Sequence, residues 1–81
     1  MTLVAARKKI IEYRKIYDKY IRKFDKQSKV VYTYFKEALG DLEITHVSPD
    51  EIVCSVRDSL RRHIKKNIPK GVIFILPEEF K

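Results

Sequence analysis

The stretch from Ser48 to Val56 (Ser-Pro-Asp-Glu-Ile-Val-Cys-Ser-Val) fits two different structures, and each of them gives the chain a different fold. In the first, the Ser-Pro-Asp-Glu segment is a turn with Pro49 at its second position. A strand then carries the alternating residues Ile52, Cys54 and Val56. The many β-branched residues of this stretch favour that interpretation, so we predict a β-hairpin here.

The same stretch also fits the start of a helix. Ser48 lies three residues before Glu51, which is the spacing of a capping box, and Pro49 stands at the first helical position. In this alternative, residues 49–67 form one helix. The apolar face of that helix would carry Ile52, Val53, Val56 and Leu60.

The flanking segments extend the hairpin prediction. Residues 42–47 mix apolar β-formers with polar residues, which predicts the first strand. After a cap at Asp58 or Ser59, a basic helix is expected to end at Pro69 and Gly71.

The apolar run Val72–Leu76 predicts a buried last strand, and the polar tail after it has one apolar anchor, Phe80. The predicted order is therefore α-α-β-β-α-β. We expect an α+β fold in which residues 1–81 form a single domain, with the helices packed on one face of a three-stranded sheet.

Residues 1–40 are predicted to be helical, since no Gly or Pro occurs before Gly40 and apolar residues recur at spacings of three and four. Polar residues 25–29 interrupt this pattern and favour a helical hairpin whose second helix stops at Gly40. One long amphipathic helix is the alternative, because the register continues to Val31 and Ala38. The predicted core stripe of the first helix is Leu3, Ala6, Ile10, Tyr13, Tyr17, Tyr20 and Phe24.

Length and composition exclude several classes of protein. The chain has 81 residues, enough for one domain but too few for a pocketed enzyme with a cofactor fold. Its one Cys excludes a disulfide framework and a zinc ribbon, and Cys54, His46 and His63 lack the spacing of metal ligands. We therefore expect no catalytic residues, no cofactor and no metal.

Composition also indicates the setting of the protein. Gln27 and Asn67 are the only side-chain amides, whereas Lys, Arg, Glu and Ile are abundant, a pattern typical of thermophiles. The first residues lack an apolar core of signal-peptide length. We expect an intracellular, cytoplasmic protein of a thermophilic archaeon or of its virus, in the latter case in the host cytoplasm.

Basic residues outnumber acidic ones by 18 to 11, for a formal net charge of +7. Each Lys or Arg that meets a phosphate releases a counterion, and Arg adds a planar fork that suits phosphate. The candidate nucleic-acid-binding residues are Arg57, Arg61, Arg62, Lys65, Lys66 and Lys70 on the basic helix and Lys8, Lys15 and Arg22 on the first helix.

These features predict a small basic nucleic-acid-binding protein that uses backbone contacts more than base recognition. We expect DNA rather than RNA, and a homodimer whose partner covers the long stripe of the first helix. Tyr32 is the one Tyr off that stripe, and it is the candidate for stacking on a base. The alternative is a replication or viral adaptor that binds an acidic protein through the same cations and contacts neither nucleic acid nor membrane.

The predicted strand Ile52–Val56, the polar bend Arg57–Ser59 and the packing residues Leu60 and Ile64 follow one another as in a known family. This order resembles the KH-like N-terminal module of the replication initiator DnaA, and the small DciA helicase-loader domain has a related pattern. The chain lacks the Trp that the family carries in its first helix. The resemblance implies binding to a helicase or to single-stranded DNA, and self-association.

Overall fold

The structure, a computed structural model, describes residues 1–44, 47–67 and 78–80. The fold of these residues is all-α, with no strand among them. Its elements in order are the helices α1 (Leu3–Tyr20), α2 (Ser28–Ile44) and α3 (Pro49–Asn67), with short 3-10 helices at Arg22–Phe24 and Glu78–Phe80.

The predicted α+β fold is wrong, because the stretch that decides it forms a helix. Ser48 caps α3: its Oγ accepts a hydrogen bond from the backbone N–H of Glu51 (3.2 Å), and its carbonyl accepts one from that of Ile52 (3.2 Å). The helical interpretation is the correct one, with the Ser48 half of the capping box formed, and residues 52–56 are helical rather than a strand. The predicted last strand, Val72–Leu76, lies outside the described residues.

Burial explains why the helix is preferred to the strand. A strand would place Val53 on the face opposite to Ile52 and Val56, whereas all three are buried in α3. The helix instead turns Cys54 out to solvent. A β-branched residue costs a helix only about 0.5 kcal/mol, while burying such a side chain contributes about 1.5–3 kcal/mol.

Gly40, the predicted stop of the second helix, lies inside α2. The helix runs one turn further, to Ile44, and this extra turn buries Leu42. Residues 42–44, predicted as the start of the first strand, therefore belong to α2. Burial of Leu42 outweighs the roughly 1 kcal/mol that a glycine costs in a helix interior.

A turn at residues 21–27 separates α1 from α2, so the first half of the chain is a helical hairpin rather than one long helix. The predicted stripe of α1 is buried at its centre, from Ala6 to Tyr17, and exposed at Leu3 and Tyr20. Because α2 and α3 pack on α1 within one chain, the stripe does not need a second copy to cover it. Covering this stripe is therefore no reason to expect a homodimer.

Two ion pairs show the relative directions of the three helices. The N-terminal ammonium of Met1 lies 3.3 Å from Oδ2 of Asp50, at the start of α3, and Nη2 of Arg7 lies 3.7 Å from Oε1 of Glu43, at the end of α2. The start of α1, the end of α2 and the start of α3 thus meet at one end of the bundle. The end of α1, the start of α2 and the end of α3 meet at the other.

The last described residues return to the bundle. Phe80 is fully buried, and its ring packs edge-on against Tyr13 with the ring centroids 5.4 Å apart. The 3-10 helix that carries Phe80 also contacts α3. The predicted apolar anchor of the tail is confirmed, and it ties the tail to α1 and α3.

Replacing Gly40 by Ala is expected to stabilise the protein. Beyond the adjoining backbone of α2, no atom of the described residues lies within 4 Å of the position that a Cβ would take, so the added methyl group meets no steric barrier there. Alanine also removes backbone freedom from the unfolded chain, and we expect the free energy of unfolding, measured by urea titration, to rise by about 0.5–1 kcal/mol. A loss of stability would contradict the continuous course of α2 through this position.

Candidate nucleic-acid interface

A buried carboxylate joins three segments of the chain at one end of the bundle. The side chain of Asp25 is fully buried, and its Oδ2 accepts hydrogen bonds from the hydroxyl of Tyr17 (2.5 Å) and from Nε2 of His63 (2.7 Å). Its Oδ1 accepts one from the backbone N–H of Gln27 (2.8 Å). We call these four residues the Asp25 junction, because it connects α1, the turn before α2, and α3.

The hydrogen bonds of the junction keep Asp25 ionised. Burial by itself raises the pKa of the carboxyl, since a charge is costly away from water. The donors from Tyr17, Gln27 and His63 together outweigh burial and hold the pKa of Asp25 below its ordinary value of 3.8. Burial, and then the hydrogen bond to Asp25, raise the pKa of Tyr17 far above its ordinary value, so this hydroxyl stays protonated and donates.

The ionised carboxylate also defines the role of His63. Because a carboxylate only accepts hydrogen bonds, Nε2 of His63 is the donor in this pair. The ring lies against Asn67, whose Nδ2 is 3.3 Å from Nδ1 of His63 and donates to the carbonyl of His63 (3.0 Å). His63 is buried, although it lies among the cations of the basic helix in the sequence.

The Asp25 junction brings exposed cations from four segments to the same end of the bundle, which we call the basic end. They come from the last turn of α1, the turn before α2, the first turn of α2, and the last two turns of α3. Their side chains are all exposed. The carboxylates nearby in sequence are Asp25, which is buried, Asp18, which is hydrogen-bonded to Tyr32, and Asp58, which is paired with Arg61. The cations of the basic end are Lys19, Arg22, Lys23, Lys26, Lys29, Arg62, Lys65 and Lys66.

The opposite end, which we call the neutral end, has balanced charge. Its carboxylates are Asp41 and Glu43 near the end of α2 and Asp50 and Glu51 at the start of α3. The positive charges there are the N-terminal ammonium and Arg7, Lys8 and Lys9 at the start of α1. The bundle is therefore electrically polar along its long axis.

The structure divides the predicted phosphate contacts of the basic helix. Arg62, Lys65 and Lys66 lie at the basic end and are exposed. Arg61 lies on the outer face of α3, where its Nη2 is 2.6 Å from Oδ1 of Asp58. The two remaining residues are Arg57, which is half-buried and donates from Nη2 to Sγ of Cys54 (3.3 Å), and Lys70, which lies outside the described residues.

The predicted contacts of the first helix divide in the same way. Arg22 follows α1 and belongs to the basic end, whereas Lys8 and Lys15 are exposed on α1 further toward the neutral end. Four further cations flank Arg22 in the sequence, and the turn brings them beside those of α3: they are Lys19, Lys23, Lys26 and Lys29. In a straight first helix these charges would lie along a stripe. Their grouping depends on the turn and on the antiparallel course of α2, so a helical pattern in the sequence does not predict it.

A groove between α2 and α3 opens at the basic end, and we call it the end groove. Its volume is about 320 Å³, and it contains two cations, two amides, two hydroxyl groups and an imidazole, with no carboxylate in its lining. The rings of Tyr34 and His63 pack edge to face in its wall, with centroids 6.3 Å apart. The lining residues are Gln27, Val30, Tyr34, Ser59, Arg62, His63, Lys66 and Asn67.

Tyr32, the predicted stacking residue, is occupied by other contacts. Its ring carries the guanidinium groups of Arg14 and Arg22, 5.4 and 5.8 Å from the ring centroid, and its hydroxyl donates to Asp18. The ring also packs edge-on against Tyr17. These contacts hold Tyr32 in the packing of α1 on α2, where it lines a separate groove with Arg14 and Lys36. Tyr34 is the half-buried tyrosine of the end groove.

Comparisons with family models, with curated proteins and with solved structures find no match for this chain. The segments that carry the resemblance to the DnaA module, Ile52–Val56 and Arg57–Ser59, both lie within α3. None of the helices in the described ranges is long and apolar enough to cross a membrane. In the same ranges, no three His, Cys, Asp or Glu side chains are grouped so that they could hold a metal ion.

Replacing Asp25 by Asn is expected to destabilise the protein at neutral pH by about 2–3 kcal/mol. In either orientation of the amide, its NH2 group faces a donor that the carboxylate accepts, namely Tyr17 and His63 on one side or Gln27 on the other. Because folding lowers the pKa of Asp25, the contribution of its charge is complete above pH 3.8 and is lost as the pH falls through the folded pKa. The difference between the wild type and Asp25→Asn should therefore shrink in acid.

Urea titration of both proteins at neutral pH and near pH 2 measures this dependence. Asp41→Asn is the matched control, since it removes the same charge from an exposed residue of α2 and should change the free energy of unfolding little at either pH. A difference between the wild type and Asp25→Asn that does not change with pH would contradict an ionised carboxylate in the core.

Proposed function

We propose that this chain is a small nucleic-acid-binding protein that contacts phosphates through its basic end. The observation that supports this proposal is the grouping of eight exposed cations from four segments, with the neighbouring carboxylates buried or bonded. Such a grouping attracts a polyanion by its field and binds it by releasing counterions. DNA is the expected nucleic acid, bound mainly through its backbone.

Helix ends at this surface help to hold its cations in place. Lys19 lies in the last turn of α1, and Lys65 and Lys66 lie in the last turn of α3, where cations offset the partial negative charge of a helix C-terminus. The start of α2 offers backbone N–H groups and a partial positive charge beside them. The helix C-termini thus stabilise these cations at the surface without a protein carboxylate.

The homodimer remains part of the proposal, but through the neutral end. The apolar residues exposed there include Val4 (64%) and Ile44 (68%), together with Met1, Leu3 and Val47. Two neutral ends do not repel each other, whereas two basic ends do, so a second copy is the occupant that this surface suits best. Light scattering is expected to give twice the mass of the chain, and a monomer mass at all concentrations would reject the dimer.

Removing two lysines from the basic end should weaken nucleic-acid binding and its dependence on salt. For Lys23→Ala/Lys26→Ala we expect the slope of log K against log salt on duplex DNA to fall by about 1.8 units, at roughly 0.9 per lost phosphate contact. The loss should be the same for unrelated DNA sequences, because phosphate contacts carry no base information. Fluorescence anisotropy over a salt series measures both quantities.

Lys8→Ala/Lys9→Ala is the matched control, because it removes the same charge from exposed positions of α1 at the neutral end. We expect its slope to stay close to that of the wild type. Equal losses in the two variants would contradict a site at the basic end. A wild-type protein that binds no nucleic acid would reject the proposed function and favour the adaptor that binds an acidic protein.

A further inference from the structure

The end groove holds a combination of groups that the charge of the basic end does not explain. Gln27 and Asn67 are the only two side-chain amides in the whole chain, and both line this groove, although they lie forty residues apart in the sequence. The Asp25 junction brings them together, since Gln27 donates its backbone N–H to Asp25 and Asn67 packs on His63. Amides at the mouth of a groove offer paired donors and acceptors of the kind that bind base edges.

Several polar groups of the groove make no hydrogen bond or ion pair with the residues that the structure describes. They are the side-chain amide of Gln27, the hydroxyl groups of Tyr34 and Ser59, the guanidinium of Arg62 and the ammonium of Lys66. By contrast Arg61, the neighbour of Arg62 in the sequence, is paired with Asp58. The groove therefore presents hydrogen-bonding groups and positive charge to a ligand rather than to the protein.

The groove also has an apolar side. Val30 is 39% exposed, and the half-buried ring of Tyr34 stands beside it on the same face of α2. An aromatic ring next to cations is the arrangement that binds an unpaired base and its flanking phosphates, because the ring stacks on the base while the cations meet the backbone. The volume of about 320 Å³ is at the lower end of the range for small-ligand sites.

The next groove along α2 and α3 limits how far a strand can follow. It shares Tyr34 and Ser59 with the end groove but is lined by the carboxylates of Glu37 and Asp41. These charges repel phosphates, so a bound strand is directed away from α2–α3 and across the cations of the turn before α2. The carboxylates of the second groove thus limit a bound strand to one nucleotide in the end groove.

We infer that the end groove binds one unpaired nucleotide of a single-stranded nucleic acid, with the base against Tyr34 and Val30 and the phosphates at Arg62 and Lys66. This inference rests on the proposed function and adds to it a preference for single strands over duplexes. A duplex presents phosphates to the basic end but keeps its bases paired and out of the groove. The basic end alone should bind single strands and duplexes, whereas the end groove should add affinity for single strands only.

Tyr34→Leu tests the inference with oligo(dT) as the single strand and the same oligo(dT) annealed to oligo(dA) as the duplex. We expect the affinity for oligo(dT), measured by fluorescence anisotropy, to fall about tenfold, the size of effect seen when one stacked base is lost. Affinity for the duplex and both salt slopes should stay unchanged, because no charge is removed. Tyr20→Leu is the matched control, since Tyr20 is an exposed tyrosine at the same end of the bundle.

Unchanged oligo(dT) affinity in Tyr34→Leu, or an equal loss on the duplex, would overturn the nucleotide site while leaving the phosphate-binding basic end in place. A wild type that binds neither form would overturn both. Circular dichroism of Tyr34→Leu shows whether α2 and α3 remain helical. Gln27→Ala gives the same test without touching the ring packing, and it should also weaken oligo(dT) binding and spare the duplex.

Nuclear magnetic resonance provides a readout on the unmodified protein. Because Gln27 and Asn67 are the only side-chain amides, a nitrogen-15 spectrum contains just two NH2 pairs, and both report on the end groove. Oligo(dT) is expected to shift both pairs, whereas inorganic phosphate at the same phosphate concentration should shift them much less. Shifts confined to backbone amides of the basic end, with both NH2 pairs unmoved, would reject the groove as the site.

Discussion

The carboxylate of Asp25 accepts hydrogen bonds from α1, from the turn before α2 and from α3, and the arrangement of the basic end depends on it. Without these bonds nothing polar ties the end of α1 to the end of α3, since the rest of the described core is apolar. The junction sets where the turn lies relative to α3. It thereby sets which cations become neighbours, and it brings Gln27 and Asn67 to the same groove.

A buried charge is costly, and here its surroundings compensate for the cost. Three donors satisfy the carboxylate, and their hydrogen bonds outweigh the cost of burying it beneath the exposed cations of the basic end. The same negative charge reduces the mutual repulsion of those cations, which would otherwise destabilise this end of the bundle. A core anion and a cationic surface are therefore two parts of one electrostatic arrangement.

Local patterns in the sequence predict the helical hairpin, the centre of the α1 stripe and the Phe80 anchor, because each depends on neighbouring residues. The α+β prediction fails at residues 48–56, where the capping box of Ser48 and the burial of Val53 prevail over β-branched content. Once α3 is taken as a helix, His63 lies on the buried face with Val56 and Leu60, and a buried polar partner is then expected. Nothing near Asp25 in the sequence identifies it as that partner, since the contact spans thirty-eight residues.

Footprinting of lysines on the wild-type protein shows directly which surface binds phosphates. Lysines acetylated by a reactive ester with and without DNA are compared residue by residue by mass spectrometry. We expect DNA to protect Lys19, Lys23, Lys26, Lys29, Lys65 and Lys66 and to leave Lys8, Lys9 and Lys36 reactive. Equal protection of the two groups, or protection of the second group alone, would contradict the account.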